Sequence, residues 1–109
     1  MLADFKAENT VDSNSNPAGG VARGTGMDIT WQNGPLGRDG DRQEPNGAFV
    51  ETVIAAVIQR MDFYQEAIGG KFRCKENAVA LQKLEEALLW LNKRTQDREK
   101  RKVEGTHTA

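Results

Sequence analysis

Arg94, Arg98 and Arg101 recur at steps of four and three, so on a helix they share one face. Arginine presents a planar fork of donors that matches the oxygens of a phosphate. The same spacing suits a solvated face with Asp97 and Glu99 as partners, and cations near a helix C-terminus are favoured by its dipole. Asn77 falls on an apolar stripe where a hydrophobe is expected. Its amide suits either the N-cap of a helix or a contact that matches a ligand's donors and acceptors. Tyr64 and Phe72 flank Gly69-Gly70 and suit either a core or a ring on which a base stacks.

Covalent and metal chemistry finds little to work with. Cys74 and His107 are the sole cysteine and histidine, which excludes an intrachain disulfide and a Cys/His zinc cluster. They make a nucleophile and base only by count. The glycines between positions 34 and 47 lack the Walker spacing and its Lys-Ser/Thr. Glu85 and Glu86 are sequence neighbours and diverge on a helix surface. No catalytic residue, metal ligand or cofactor is expected, and binding is favoured over catalysis.

The elements that must position these residues follow from pattern. A chain of 109 residues has room for one domain. Hydrophobic residues make up 38% and charged residues 28%. No apolar run approaches the roughly 20 residues of a spanning helix. The pI of about 5.8 argues against a whole-chain electrostatic binder of nucleic acid. Charge is nonetheless local: Lys71 to Lys102 holds ten Lys or Arg against five Asp or Glu, while the whole chain carries -1. Met1 to Thr10 has Asp4 and Glu8 and no apolar centre, so no secretory signal is expected there.

Residues 1–27 are polar, carry Asn14-Ser15-Asn16-Pro17 and Gly19-Gly20, and are expected to form a flexible arm, the alternative being an extended segment that pairs only on assembly. Deleting residues 1–24 is expected to leave melting temperature and ligand affinity nearly unchanged. Residues 28–32 alternate as a strand, and Asn33-Gly34 signals a hairpin with an unmarked returning strand. With Asn46 as its N-cap, a helix carries Val50, Ile54, Val57, Met61, Tyr64 and Ile68 on one stripe and ends at Gly69-Gly70. A second helix starts near Cys74 or Asn77 and carries Leu81, Leu84, Leu88 and Leu91. The short connection predicts an antiparallel helical hairpin. The expected class is mainly α with a small N-terminal β element. Phe49, Val53, Ile58, Leu89 and Trp90 add apolar edges that one partner helix cannot cover, which predicts a homo-oligomer.

The run Asn77-Ala-Val-Ala-Leu-Gln-Lys-Leu-Glu-Glu-Ala-Leu-Leu-Trp-Leu91 is followed by Arg94-Thr-Gln-Asp-Arg98 and Arg101-Lys-Val-Glu-Gly-Thr-His107. With this order the chain resembles the phage Thoeris anti-defence sponge family of the first type, which shares a hairpin domain with the anti-CBASS cyclic-nucleotide sponges. Ile29 to Pro35 is similar to the family's N-terminal β element. The resemblance covers about residues 28–107, a β-hairpin plus helical-hairpin sponge domain. Its specific part is Arg-Thr-x-x-Arg with Val-Glu-Gly-Thr; the Leu/Glu helix alone is not specific.

That resemblance implies a protein of the host bacterial cytoplasm that captures a cyclic ADP-ribose isomer made by a TIR enzyme and does not cleave it. Family members are hexameric, and some hold cyclic di- or trinucleotides in separate pockets. Tyr64, Asn77, Arg94 and Arg98 match the family's ligand-binding positions, with weaker matches at Phe72, Arg101, Gly105 and Thr106. Lys102 stands where a glycine is usual. Asn77 and Arg94 are 17 residues apart, roughly 25 Å along a straight helix. If both bind one nucleotide, they come from two chains. The rival classes are a phage nucleic-acid-binding accessory protein using the basic region, and a structural helical adaptor.

Overall fold

The computed structural model describes residues 1–109. They form two compact units, Met1–Phe49 with Glu99–Ala109, and Val50–Arg98. In the first unit, β1 (Phe5–Val11), β2 (Pro17–Gly24) and β3 (Met27–Trp31) make an antiparallel sheet in the order β1-β2-β3.

The flexible arm expected of residues 1–27 is therefore corrected: most of it is strand. Its shortage of apolar residues argued for disorder. Two local hairpins with tight turns cost little loop entropy, however, and a ladder satisfies the backbone without a large core. Cross-strand layers supply what apolar contact there is. Ala7 pairs with Ala22 and Ala22 with Ile29, and Ala22 is only 6% exposed. Gly20 pairs with Asn9 at φ 142, where a Cβ would strike the Glu8 carbonyl, so glycine is required there. Removing residues 1–24 would delete two of three strands, and the harmless truncation is withdrawn.

The turn between β1 and β2 is built on Asp12. Its Oδ1 accepts from the Asn14 amide at 2.8 Å and the Asn16 amide at 3.0 Å. The Asn16 amide bond is the main force holding the Asp12 carboxyl below its ordinary range. A depressed carboxyl stabilises the fold above its unfolded pKa and loses that contribution as pH falls through the folded value. Protection of the Asn14 and Asn16 amides, measured against the intrinsic exchange rate at each pH, is thus expected to fall on acidification below about pH 4. Asp12→Ala is expected to remove that pH dependence.

The hairpin expected at Asn33-Gly34 is also corrected. The partner of β3 is β2, upstream, through a turn at Gly26 with φ 73. Asn33 instead exchanges bonds with Asn46: the Asn33 amide donates to Asn46 Oδ1 at 2.8 Å, and Asn46 Nδ2 donates to the Asn33 carbonyl at 3.0 Å. Asn46 pins this loop rather than capping a helix. The Ala48 amide donates to the Thr30 carbonyl at 2.7 Å, and Gln32 N donates to the Ala48 carbonyl at 2.9 Å. The outer edge of β3 is covered this way.

In the second unit, α1 (Val50–Gly70) and α2 (Lys75–Lys100) form a hairpin. Helical geometry in α1 stops at Ala67, whose ψ is 140, and Ile68 and Gly69 are left-handed. Gln65 secures the connection: its Nε2 donates to the Cys74 carbonyl at 3.2 Å and its Oε1 accepts from the Cys74 amide at 3.1 Å. At the opposite end Arg94 pairs with Glu51 at 3.2 Å, as the antiparallel sense imposed by the short connection places them.

Leu81, at 8% exposure, leads an inward row completed by half-buried Leu84, Leu88 and Leu91. The facing row on α1 is Ile54, Ile58, Met61 and Gln65, all half-buried. Four of the six residues of the predicted α1 stripe, Val50, Val57, Tyr64 and Ile68, are exposed instead. A single partner helix covers one narrow seam, and α1 is apolar over a wider arc. Leu89 and Trp90 remain 69% and 62% exposed. No helix is long and apolar enough to cross a membrane.

Candidate functional site

The hairpin sorts its predicted site residues to two ends. Tyr64, Phe72 and Asn77 lie by the connection that Gln65 secures, and Arg94 and Arg98 lie toward the far end of α2. Helix α2 is unbroken between Asn77 and Arg94, so the separation of roughly 25 Å stands.

Asn77 is the third residue of α2 and half-buried. The N-cap role falls to Cys74, whose sulfur accepts from the Asn77 amide nitrogen at 3.5 Å and whose carbonyl accepts from Ala78 at 3.1 Å. Cysteine is not a favoured cap, so the sequence pattern pointed to Asn77 instead. Relieved of capping, the Asn77 side chain retains two donors and an acceptor for other use.

Neither aromatic ring belongs to a core. Tyr64 and Phe72 are both exposed. The Arg60 guanidinium carbon sits 4.8 Å from the Tyr64 centroid, and the tilted Phe63 ring is 6.2 Å away. Lys71 Nζ lies 5.5 Å from the Phe72 centroid. Each ring thus carries a cation beside it, an arrangement that suits stacking with an electron-rich base or contact with an anion. Nothing about Arg60 marked it in the sequence beyond its i, i+3 and i, i+4 spacing to Phe63 and Tyr64.

Arg94 is exposed and held by Glu51; Arg98, one turn on, is half-buried and engaged with other groups. A ligand phosphate near Arg94 would compete with the Glu51 carboxylate for the same guanidinium.

The weaker candidates Arg101, Gly105 and Thr106 lie in the first unit. Arg101 Nη1 donates to the Ala109 carbonyl at 2.9 Å. Lys102, just past α2, has φ 60, a left-handed conformation that glycine adopts at lower cost. A clamp follows. The Gly37 amide donates to the Gly105 carbonyl at 2.8 Å. Arg38 Nη1 donates to the Glu104 carbonyl at 3.0 Å, and Arg42 Nη1 meets Glu104 Oε2 at 2.6 Å. The Glu104 hydrogen bond raises the Arg42 pKa above its ordinary value. Thr106 closes the turn, its hydroxyl donating to the Val103 carbonyl at 2.6 Å. Arg38 and Arg42 were not legible as partners of Glu104, because they stand more than 60 residues away in an irregular loop.

No group of three or more His, Cys, Asp and Glu side chains is placed to hold a metal ion. What the arrangement offers is arginine forks, an amide and aromatic rings, groups whose chemistry suits phosphate oxygens and base faces.

Residues 24–96 match the family model described as the Acb2/Tad1 hairpin domain. Over 79 residues the chain is 49% identical to Thoeris anti-defense 1 of Bacillus phage SBSphiJ7, an alignment covering 72% of this chain and 51% of that protein. The chain spans about half the length of the curated relative it matches.

Proposed function

The chain belongs to the Acb2/Tad1 hairpin-domain family, and from that premise we propose that it is a viral anti-defence protein that binds and sequesters a host immune signalling nucleotide without cleaving it. The ligand is a cyclic ADP-ribose isomer made by a TIR enzyme in the host bacterial cytoplasm. Cyclic di- and trinucleotides are further candidate ligands. Arg94 and Arg98 hold the two phosphates, Asn77 reads polar atoms of the ligand, and Tyr64 or Phe72 stacks on its base. Arg101, Gly105 and Thr106 make the outer contacts.

The observation that carries this reading is the unbroken α2, which keeps Asn77 and the arginines too far apart to meet one small ligand within a chain. Two opposed chains bring the basic end of one hairpin beside the amide and aromatic end of another. Exposed Val50, Val57, Leu89 and Trp90 offer the apolar surface for such assembly. The assembly is a homo-oligomer, a hexamer in the family's pattern.

Thermal melting with cyclic ADP-ribose isomers tests binding. At 100 times its dissociation constant a ligand adds about 2.7 kcal/mol to stability, a readily measured upward shift. Chromatography of material released by heat tests sequestration: the nucleotide is expected back intact. A hydrolysed product would make the protein an enzyme. No shift with any isomer, alongside salt-sensitive binding of long oligonucleotides, would favour the nucleic-acid-binding class. Native mass spectrometry with and without ligand tests the hexamer.

A further inference from the structure

The two sheet edges differ. That of β3 is covered by Ala48 through two backbone bonds, to Thr30 and Gln32. Strand β1 pairs only with β2, and all seven of its residues are exposed. An open strand edge is a template for another strand, so it is either blunted or used.

The residues of β1 select one use. Its regular pairing runs from Phe5 to Asn9, and the register shifts between Asn9 and Val11. The centre of the regular stretch is Ala7. Lys6 and Glu8 flank Ala7 on the opposite face of the strand. Neither has an ion-pair partner within the chain. The cross-strand neighbour of Lys6 is a like charge, Arg23, already paired with Asp28 at 2.9 Å.

We propose that β1 pairs antiparallel with β1 of a second copy of this chain about a twofold axis at Ala7, joining two sheets into one of six strands. In that register Lys6 faces Glu8 of the other copy twice, Ala7 faces Ala7, and Phe5 faces Asn9. The alternatives are worse. Moving the axis to Glu8 sets carboxylate against carboxylate; moving it to Lys6 sets ammonium against ammonium. Parallel pairing in register does both, and like charges directly opposite are destabilising. The self-complementary register also uses the whole unshifted stretch and ends where the irregularity begins.

Cross-linking in the full-length chain tests the register. Cys74→Ser removes the native thiol and keeps a good helix cap. In that background Ala7→Cys is expected to give a covalent dimer under mild oxidation, because directly opposed residues lie within disulfide reach. Glu8→Cys is expected not to, since its copies are offset diagonally. Sedimentation tests the charges. Lys6→Glu and Glu8→Lys are each expected to weaken one association step at least tenfold, and the double exchange to restore it. Circular dichroism should show an unchanged fold, as β1 faces solvent. An uncross-linked Ala7→Cys, equal cross-linking of Glu8→Cys, single variants that assemble as wild type, or a double exchange no better than the singles would each overturn the pairing. Nucleotide-induced melting shifts, measured on the same variants, report separately on the ligand pocket.

Discussion

Replacing Arg94 or Arg98 with alanine is expected to lower affinity for a cyclic ADP-ribose isomer by about 30- to 1000-fold, equivalent to about 2–4 kcal/mol. A guanidinium on a phosphate makes two charge-assisted hydrogen bonds in a fixed fork, and no neighbouring lysine reproduces that geometry. The fold should tolerate both changes. Arg94 is exposed and its partner Glu51 half-buried; with one member in water the pair contributes about 1 kcal/mol. Glu51→Gln is the informative control. It frees Arg94 from its carboxylate and is expected to raise affinity. Asn77→Ala should cost about 1–3 kcal/mol by leaving polar ligand atoms unpaired. Isothermal titration calorimetry reads all four. Unchanged affinity in both arginine variants would leave sequestration standing and move the pocket elsewhere.

The helical hairpin was legible because its signals are local and periodic. Leucines at steps of three and four from Leu81 to Leu91, and Gly69-Gly70 between two such runs, determine two antiparallel helices whatever surrounds them. The facing seam of α1 was less legible. Its apolar arc is wide, and only a partner decides that Ile58 turns inward while Val57 turns out. The sheet was misjudged for a physical reason. Composition measures how much a segment can bury, whereas the polar β1 and the alanine- and glycine-rich β2 are held by ladders and turns instead. Asp12, Gly20 and Gly26 carry that information, but as turn geometry rather than hydrophobic pattern. Asn46 and Asn77 show a similar limit. Each is an amide near a helix start, and whether it caps depends on what else competes. Asn33 claims Asn46 ahead of α1, and Cys74 takes the cap of α2 from Asn77.

The clamp on the C-terminal turn carries the other large effect. Gly105 has φ 78, and a Cβ there would run into the Gly37 carbonyl and stand 3.3 Å from Arg42 Nη1. Alanine therefore meets two penalties. The left-handed backbone costs a residue with a Cβ about 1 kcal/mol, and a clash with a main-chain carbonyl cannot be relieved by rotating a side chain. The cheaper response is for the turn to leave its seat. That breaks the Gly37 to Gly105 hydrogen bond and pulls Glu104 from Arg38 and Arg42. Gly105→Ala is thus expected to cost about 2–3 kcal/mol locally, read as accelerated hydrogen exchange at the Gly37 amide. Glu104→Gln keeps the backbone bonds and loses only the charge, so its effect should be smaller and should shrink further in salt. If Gly105 and Thr106 touch the nucleotide, affinity falls in Gly105→Ala in step with Gly37 exchange, while the melting of α1 and α2 stays in place. Gly37 exchange at the wild-type rate would show that the turn is seated by something other than this clamp.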